Sequence, residues 1–117
     1  ICSDPQVVQD YSDSEYCGFT FTDDAYLALF DLMKRAYDVK HWKCTKPEMP
    51  VLFISGAEDP CMGNVRQFAK AVRAMRCAGY RDVRGKLYPG MRHEILNEKD
   101  KEKVYHDIFT YICKKGL

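Results

Sequence analysis

Val51 to Pro60, Val-Leu-Phe-Ile-Ser-Gly-Ala-Glu-Asp-Pro, does most to limit what this chain can become. The apolar run is too short for a helix, rich in β-branched and aromatic residues, and apolar on both faces. That is the signature of a strand covered on both sides, as in a parallel sheet. The run stops at Gly56 and then presents acids, ending in Asp59. Proline at position 60 disfavours helical geometry at Asp59 and holds it in an extended turn. A second polar turn, Tyr88-Pro-Gly-Met-Arg-His-Glu, carries His93.

The flanking pattern extends the expectation. Asn64 is placed to cap a helix whose stripe is Val65, Phe68, Val72 and Met75, ending near Gly79. Val83 to Tyr88 reads as a second strand with Val83, Gly85 and Leu87 inward. A last helix is expected from Asn97, with Val104, Ile108 and Ile112 on one line. Strand, helix, strand, helix of these lengths predicts a parallel crossover, and such sheets place their chemistry outside the carboxyl ends of the strands. Asp59 and His93 both fall there. The fold class is therefore α/β: two parallel strands with flanking helices, plus an amino-terminal helical segment.

That amino-terminal part is expected to hold two helices. Asp4 and Pro5 suit a helix start ahead of Gln6 to Asp10. Thr22, Asp23 and Asp24 open a longer helix in which Tyr26, Leu29, Phe30, Met33 and Tyr37 share one face. Core packing is the expectation for Tyr26, while Phe19 and Phe21 could line a pocket. The loop from Asp38 to Pro50 separates residues 1–48, a helical segment, from residues 49–117, the strand–helix–strand–helix unit.

A chain of 117 residues can build one core. The formal net charge of +1, with bases and acids interspersed, argues against a nucleic-acid surface or a polybasic membrane patch. No apolar run approaches the roughly 20 residues that span a bilayer, and no leader pattern is visible. The six cysteines are scattered through regular elements without zinc-type spacing, which predicts reduced thiols and a cytoplasmic location; Cys77 and Cys113 read as packing residues. Asp59, His93 and Glu94 would offer three metal-ligand types, but no His-x-x-His, His-Glu-x-x-His or cysteine pair supports a metal there. No motif indicates a cofactor.

A histidine titrating near neutrality can act as general base when a carboxylate fixes its tautomer and stabilises the imidazolium. Asp59 with His93 meets that description. His41 and His106 read as surface histidines.

The segments from Pro50 to Asp59 and from Leu87 to Glu98 resemble the carboxyl-terminal part of α/β-hydrolases. More narrowly they are similar to the group holding monoacylglycerol lipases and bacterial lysophospholipases. The resemblance makes Asp59 the triad acid and His93 the triad histidine. It implies a small-molecule acyl ester, lysophospholipid or monoacylglycerol, as substrate. Residues before Pro50 resemble the end of the cap region and the helix returning to the sheet, with less specificity.

The family's nucleophile, a serine in Gly-x-Ser-x-Gly, is absent. Ser3, Ser12, Ser14 and Ser55 do not stand in that pattern. The chain is thus expected to be the second half of a serine hydrolase and inactive alone, since loss of the triad serine costs about 10⁶-fold in a comparable protease. A non-catalytic interaction module, or a hydrolase with a different upstream nucleophile such as an aspartate, is the alternative. A strand lacking its neighbour pairs with other chains, so a homo-oligomer through the sheet edge is expected.

Overall fold

A computed structural model of the chain describes residues 1–116. Its sheet has two parallel strands, β1 (Val51–Gly56) and β2 (Val83–Tyr88), in a register that runs from Val51 opposite Val83 to Gly56 opposite Tyr88. The connection between them carries helix α3 (Val65–Cys77), and helix α4 (Lys101–Lys115) follows β2. Ahead of the sheet lie α1 (Pro5–Asp13), α2 (Asp23–Ala36) and a 3-10 turn, Val39–His41.

Alternation along β2 sends successive side chains to opposite faces, and each face meets one helix. On the first face α3 settles on Gly85. A Cβ added there would stand 2.8 Å from the Phe68 ring and 3.1 Å from the Val72 side chain. The absent side chain is what lets the helix approach. The Arg76 guanidinium donates to the Val83 carbonyl at 2.7 Å, fixing the last turn of α3 to the start of β2. At its other end, Asn64 Oδ1 accepts from the amides of Arg66 and Gln67, a cap worth about 1 kcal/mol.

On the opposite face α4 covers the core. Tyr88, Met91, Ile95 and Val104 are buried together, with Ile54 and Ile108 packed against them. Lys86 lies over the Tyr88 ring at 5.2 Å from its centroid and forms an ion pair with Asp107 of α4. Burial, and then the neighbouring Asp107 carboxylate, push the Tyr88 phenol up to about 12. The carboxylate acts on it through space, because the Tyr88 hydroxyl forms no hydrogen bond among the described residues. β2 is therefore covered on both faces at its carboxyl end, not only on the face of Val83, Gly85 and Leu87.

Several boundaries differ from the sequence expectation. α1 extends past Asp10 to Asp13, supported by bonds from Gln6 to Asp10 and from Gln9 to Asp13 one turn apart. α4 begins at Lys101 rather than Asn97. Asn97 instead closes a turn, its amide donating to the Glu94 carbonyl and its side chain to the Glu94 carboxylate. Cys77 and Cys113 are exposed rather than packed, and all six cysteines are free.

α2 departs most. Thr22 caps it as expected, accepting from the Ala25 amide. Yet it buries no residue, and Tyr26, Leu29, Phe30, Met33 and Tyr37 are all exposed. Phe19, Phe21, Tyr26 and Phe30 contact one another in sequence, two pairs tilted and the Tyr26–Phe30 pair stacked, with centroids 5.5–6.3 Å apart, instead of entering a core. The radius of gyration is 16.6 Å, against roughly 13 Å for a compact domain of this length. No helix among the described residues is long and apolar enough to cross a membrane.

Candidate functional site

Both turns leave the same end of the sheet, and backbone contacts lock them together. Tyr88, Pro89, Gly90 and Met91 form a tight turn in which the Met91 amide donates to the Tyr88 carbonyl. Proline at the second position and a glycine with φ of 76° at the third suit a type II turn. Beyond it, the chain at Met91 and Arg92 passes directly over Gly56. The Ala57 amide donates to the Tyr88 carbonyl and the Glu58 amide to the Met91 carbonyl. Glu58 Oε1 accepts from the Gly90 amide at 2.8 Å. Glu58, the acid before Asp59, is the clasp between the turns.

Asp59 occupies the pocket this clasp creates. Its Oδ1 accepts from the Cys61 amide at 2.7 Å, closing a turn over Pro60. Its Oδ2 faces His93 Nδ1 at 3.1 Å and accepts from Ser55 Oγ at 3.2 Å. The Asp59 side chain is 7% exposed and that of His93 49%. Burial alone would raise the Asp59 pKa. Hydrogen bonds from His93, the Cys61 amide and Ser55, with the charge of His93, outweigh it and hold the carboxyl below its ordinary value. An ionised, buried carboxylate thus fixes one imidazole nitrogen and leaves the other available. That ring borders an open trough of about 800 Å³, whose walls include Phe53, Phe68, Met62 and, from α2, Met33 and Tyr37.

The histidine loop is pinned from behind as well. The amides of His93 and Glu94 both donate to the Ile1 carbonyl, at 2.8 and 3.2 Å. Glu98, 1% exposed, accepts from the Ser3 amide and hydroxyl and, at 2.8 Å, from the Arg92 amide. Burial would raise the Glu98 pKa, but these bonds together lower it. Nothing in the sequence pattern singled out Glu98, because Ser3 lies at the other end of the chain and the Arg92 bond is to backbone.

The sequence matches the Hydrolase_4 family, described as serine aminopeptidase, S33, over residues 1–100. The chain belongs to this family of α/β-hydrolases. The crystal structure of the Paleococcus ferrophilus monoacylglycerol lipase is similar in fold, with a TM-score of 0.73 at 18% sequence identity. The match covers 97% of this chain and 42% of that one, so the chain spans less than half the length of that lipase.

The four serine hydroxyls of this α/β-hydrolase chain each bond a partner other than His93. Ser3 bonds Glu98, Ser12 the Val8 carbonyl, Ser14 the Tyr16 amide, and Ser55 the Asp59 carboxylate. Among the described residues none of the four bonds His93. His41 pairs with Asp38 at the surface, and His106 is exposed on α4. Glu94 does not join Asp59 and His93. It turns to Asn97, and the third metal-ligating side chain beside the pair is Cys61. The turn that carries the Asp59–Cys61 bond brings that thiol back over the rim.

Proposed function

We propose that this chain supplies the acid and the histidine of a Ser-His-Asp triad in a carboxylic ester hydrolase. The nucleophilic serine lies in sequence outside residues 1–117. The observation that carries the reading is the His93 Nδ1 to Asp59 Oδ2 contact of 3.1 Å, formed by a buried acid and a half-exposed ring on the rim of the sheet. With Nδ1 engaged, Nε2 is the nitrogen able to take the serine proton during attack and return it to the leaving alcohol. Asp59 holds the tautomer and stabilises the imidazolium. Asp59 is itself held by the Cys61 amide and Ser55 Oγ, which makes Ser55 a positioning residue rather than a nucleophile.

The substrate class is an acyl ester of the monoacylglycerol or lysophospholipid kind. Support comes from the apolar wall of the trough beside His93 and from the similarity in fold to a monoacylglycerol lipase. The test is hydrolysis of a p-nitrophenyl ester by the full-length hydrolase and its His93→Ala variant. Loss of turnover with His93→Ala is expected, and equal rates in the two proteins would refute the assignment.

The same reading has a consequence for assembly. The edge of β1 away from β2 carries no strand among the described residues. An uncovered apolar strand edge is a template for pairing, so this chain in isolation forms homo-oligomers through that edge.

A further inference from the structure

We propose that Asp59, Cys61 and His93 form a three-ligand binding site for a borderline-soft divalent cation of the zinc type. One ligand atom from each of the three side chains lies within 4.8 Å of the other two. Tetrahedral zinc, with bonds of roughly 2.0–2.3 Å, holds its ligand atoms roughly 3.3–3.7 Å apart. Closing the difference takes a shift of about 1 Å. The side chains with room to make it are those of Cys61 and His93, which are exposed, while Asp59 is buried.

The arrangement is built in the order a metal site needs. The Cys61 amide grips Asp59 Oδ1, which orients the carboxylate so that Oδ2, also bonded by Ser55 Oγ, faces His93 and the proposed cation position. The thiol of the same residue is free. One thiolate and one carboxylate balance the charge of a divalent ion, and the thiol proton passes to solvent as the metal binds. Imidazole and thiolate together select zinc or cadmium over magnesium or calcium. Three protein ligands leave a fourth position for water.

Binding at this site does not depend on the triad reading, but its consequence does. A cation held by Asp59 Oδ2 and His93 breaks the acid–histidine contact, so occupancy switches the proposed hydrolase off. Cys61 then acts as the residue that makes the site metal-sensitive.

The experiment is a titration of the reduced, purified chain with Cd²⁺, followed by thiolate-to-metal charge-transfer absorption, and with Zn²⁺ by calorimetry. Circular dichroism checks that each variant is folded. Cys61→Ala is expected to lose one equivalent with its absorption, and His93→Ala to weaken binding by more than about tenfold. Cys113→Ala, an exposed thiol remote from the rim in sequence, serves as the control and is expected to bind as the parent does. Unchanged stoichiometry and affinity in Cys61→Ala would overturn the proposal. In the full-length hydrolase, zinc is expected to inhibit ester turnover in the parent more than in Cys61→Ala. Absence of turnover with the parent protein would sink the triad reading and leave the binding result standing on its own.

Discussion

Gly56 and Arg92 are in backbone contact across the rim of the sheet. A Cβ on Gly56 would fall 2.1 Å from the Arg92 carbonyl oxygen and 2.2 Å from that of Met91. No rotamer change relieves such a clash, because the obstacle is main chain. The glycine at the end of β1 is therefore a docking surface for the histidine loop, not a conformational hinge. Gly56→Ala is expected to destabilise the chain by about 1–3 kcal/mol or more, the cost of overpacking, and to part Asp59 from His93. Urea denaturation, with the His93 ring shifts read by NMR, checks both. An alanine variant with parental stability and unchanged ring shifts would refute the account.

Asp59→Asn keeps the shape of the side chain and removes its charge. In the full-length hydrolase it is expected to lower kcat by roughly 10⁴, the loss seen when a serine protease triad acid becomes an amide. Ser55→Ala removes one hydrogen bond to the ionised carboxylate, worth about 1.5–3 kcal/mol, and is expected to lower kcat by at most about a hundredfold. Steady-state ester hydrolysis separates the two. Equal losses would make Ser55 more than a support.

Glu98 sets an acid limit on stability. Its folded pKa lies below its unfolded value, so its contribution is complete at a pH above the unfolded value. It disappears as the pH falls through the folded one. Thermal melts across the acid range are expected to show Tm falling with pH in the parent and a flatter acid limb in Glu98→Gln. Superimposable acid limbs would show that the carboxylate carries none of this dependence.

Self-association is expected of the isolated chain through the free edge of β1. Leu27 and Phe30 on α2 are 67% and 60% exposed, so lysines there should not disturb the fold. Sedimentation at rising concentration is expected to show dimers or larger species in the parent and in a Leu27→Lys, Phe30→Lys double variant alike. A parent chain that stays monomeric at high concentration would refute the edge proposal, and loss of association only in the double variant would move the contact to α2.

The sheet and its rim were legible from local pattern. Val51 to Gly56 forms β1 as its short β-branched run implies, though its residues up to Ser55 are only half-buried and Phe53 borders the trough, and Asn64 announced α3 through a cap that acts within one turn. The Asp59–His93 approach followed from where parallel strands put their loops. What escaped were features set by distant partners. Cys61 is brought to the pair by a turn whose chemistry is visible in the Asp-Pro-Cys order, yet its proximity to His93 depends on the other loop. Glu98 is buried with its carboxylate held by Ser3, which is far away in sequence, and by the Arg92 amide. The stripe on α2 has the period of a core face but no described element to cover it, so periodicity alone assigned it a place it does not occupy.

The carbonyl of Ile1 receives the amides of His93 and Glu94, so the first residue of the chain is a wall of the histidine loop. That wall is not part of the sheet. Short segments held by a few bonds open with a small free energy, far below that of global unfolding. The His93 amide is thus protected by a contact outside the sheet ladder, and its hydrogen exchange is expected to report on the Ile1 contact rather than on β1 and β2. The histidine turn is therefore held from two sides, by the Glu58 clasp toward Asp59 and by the Ile1 carbonyl behind it.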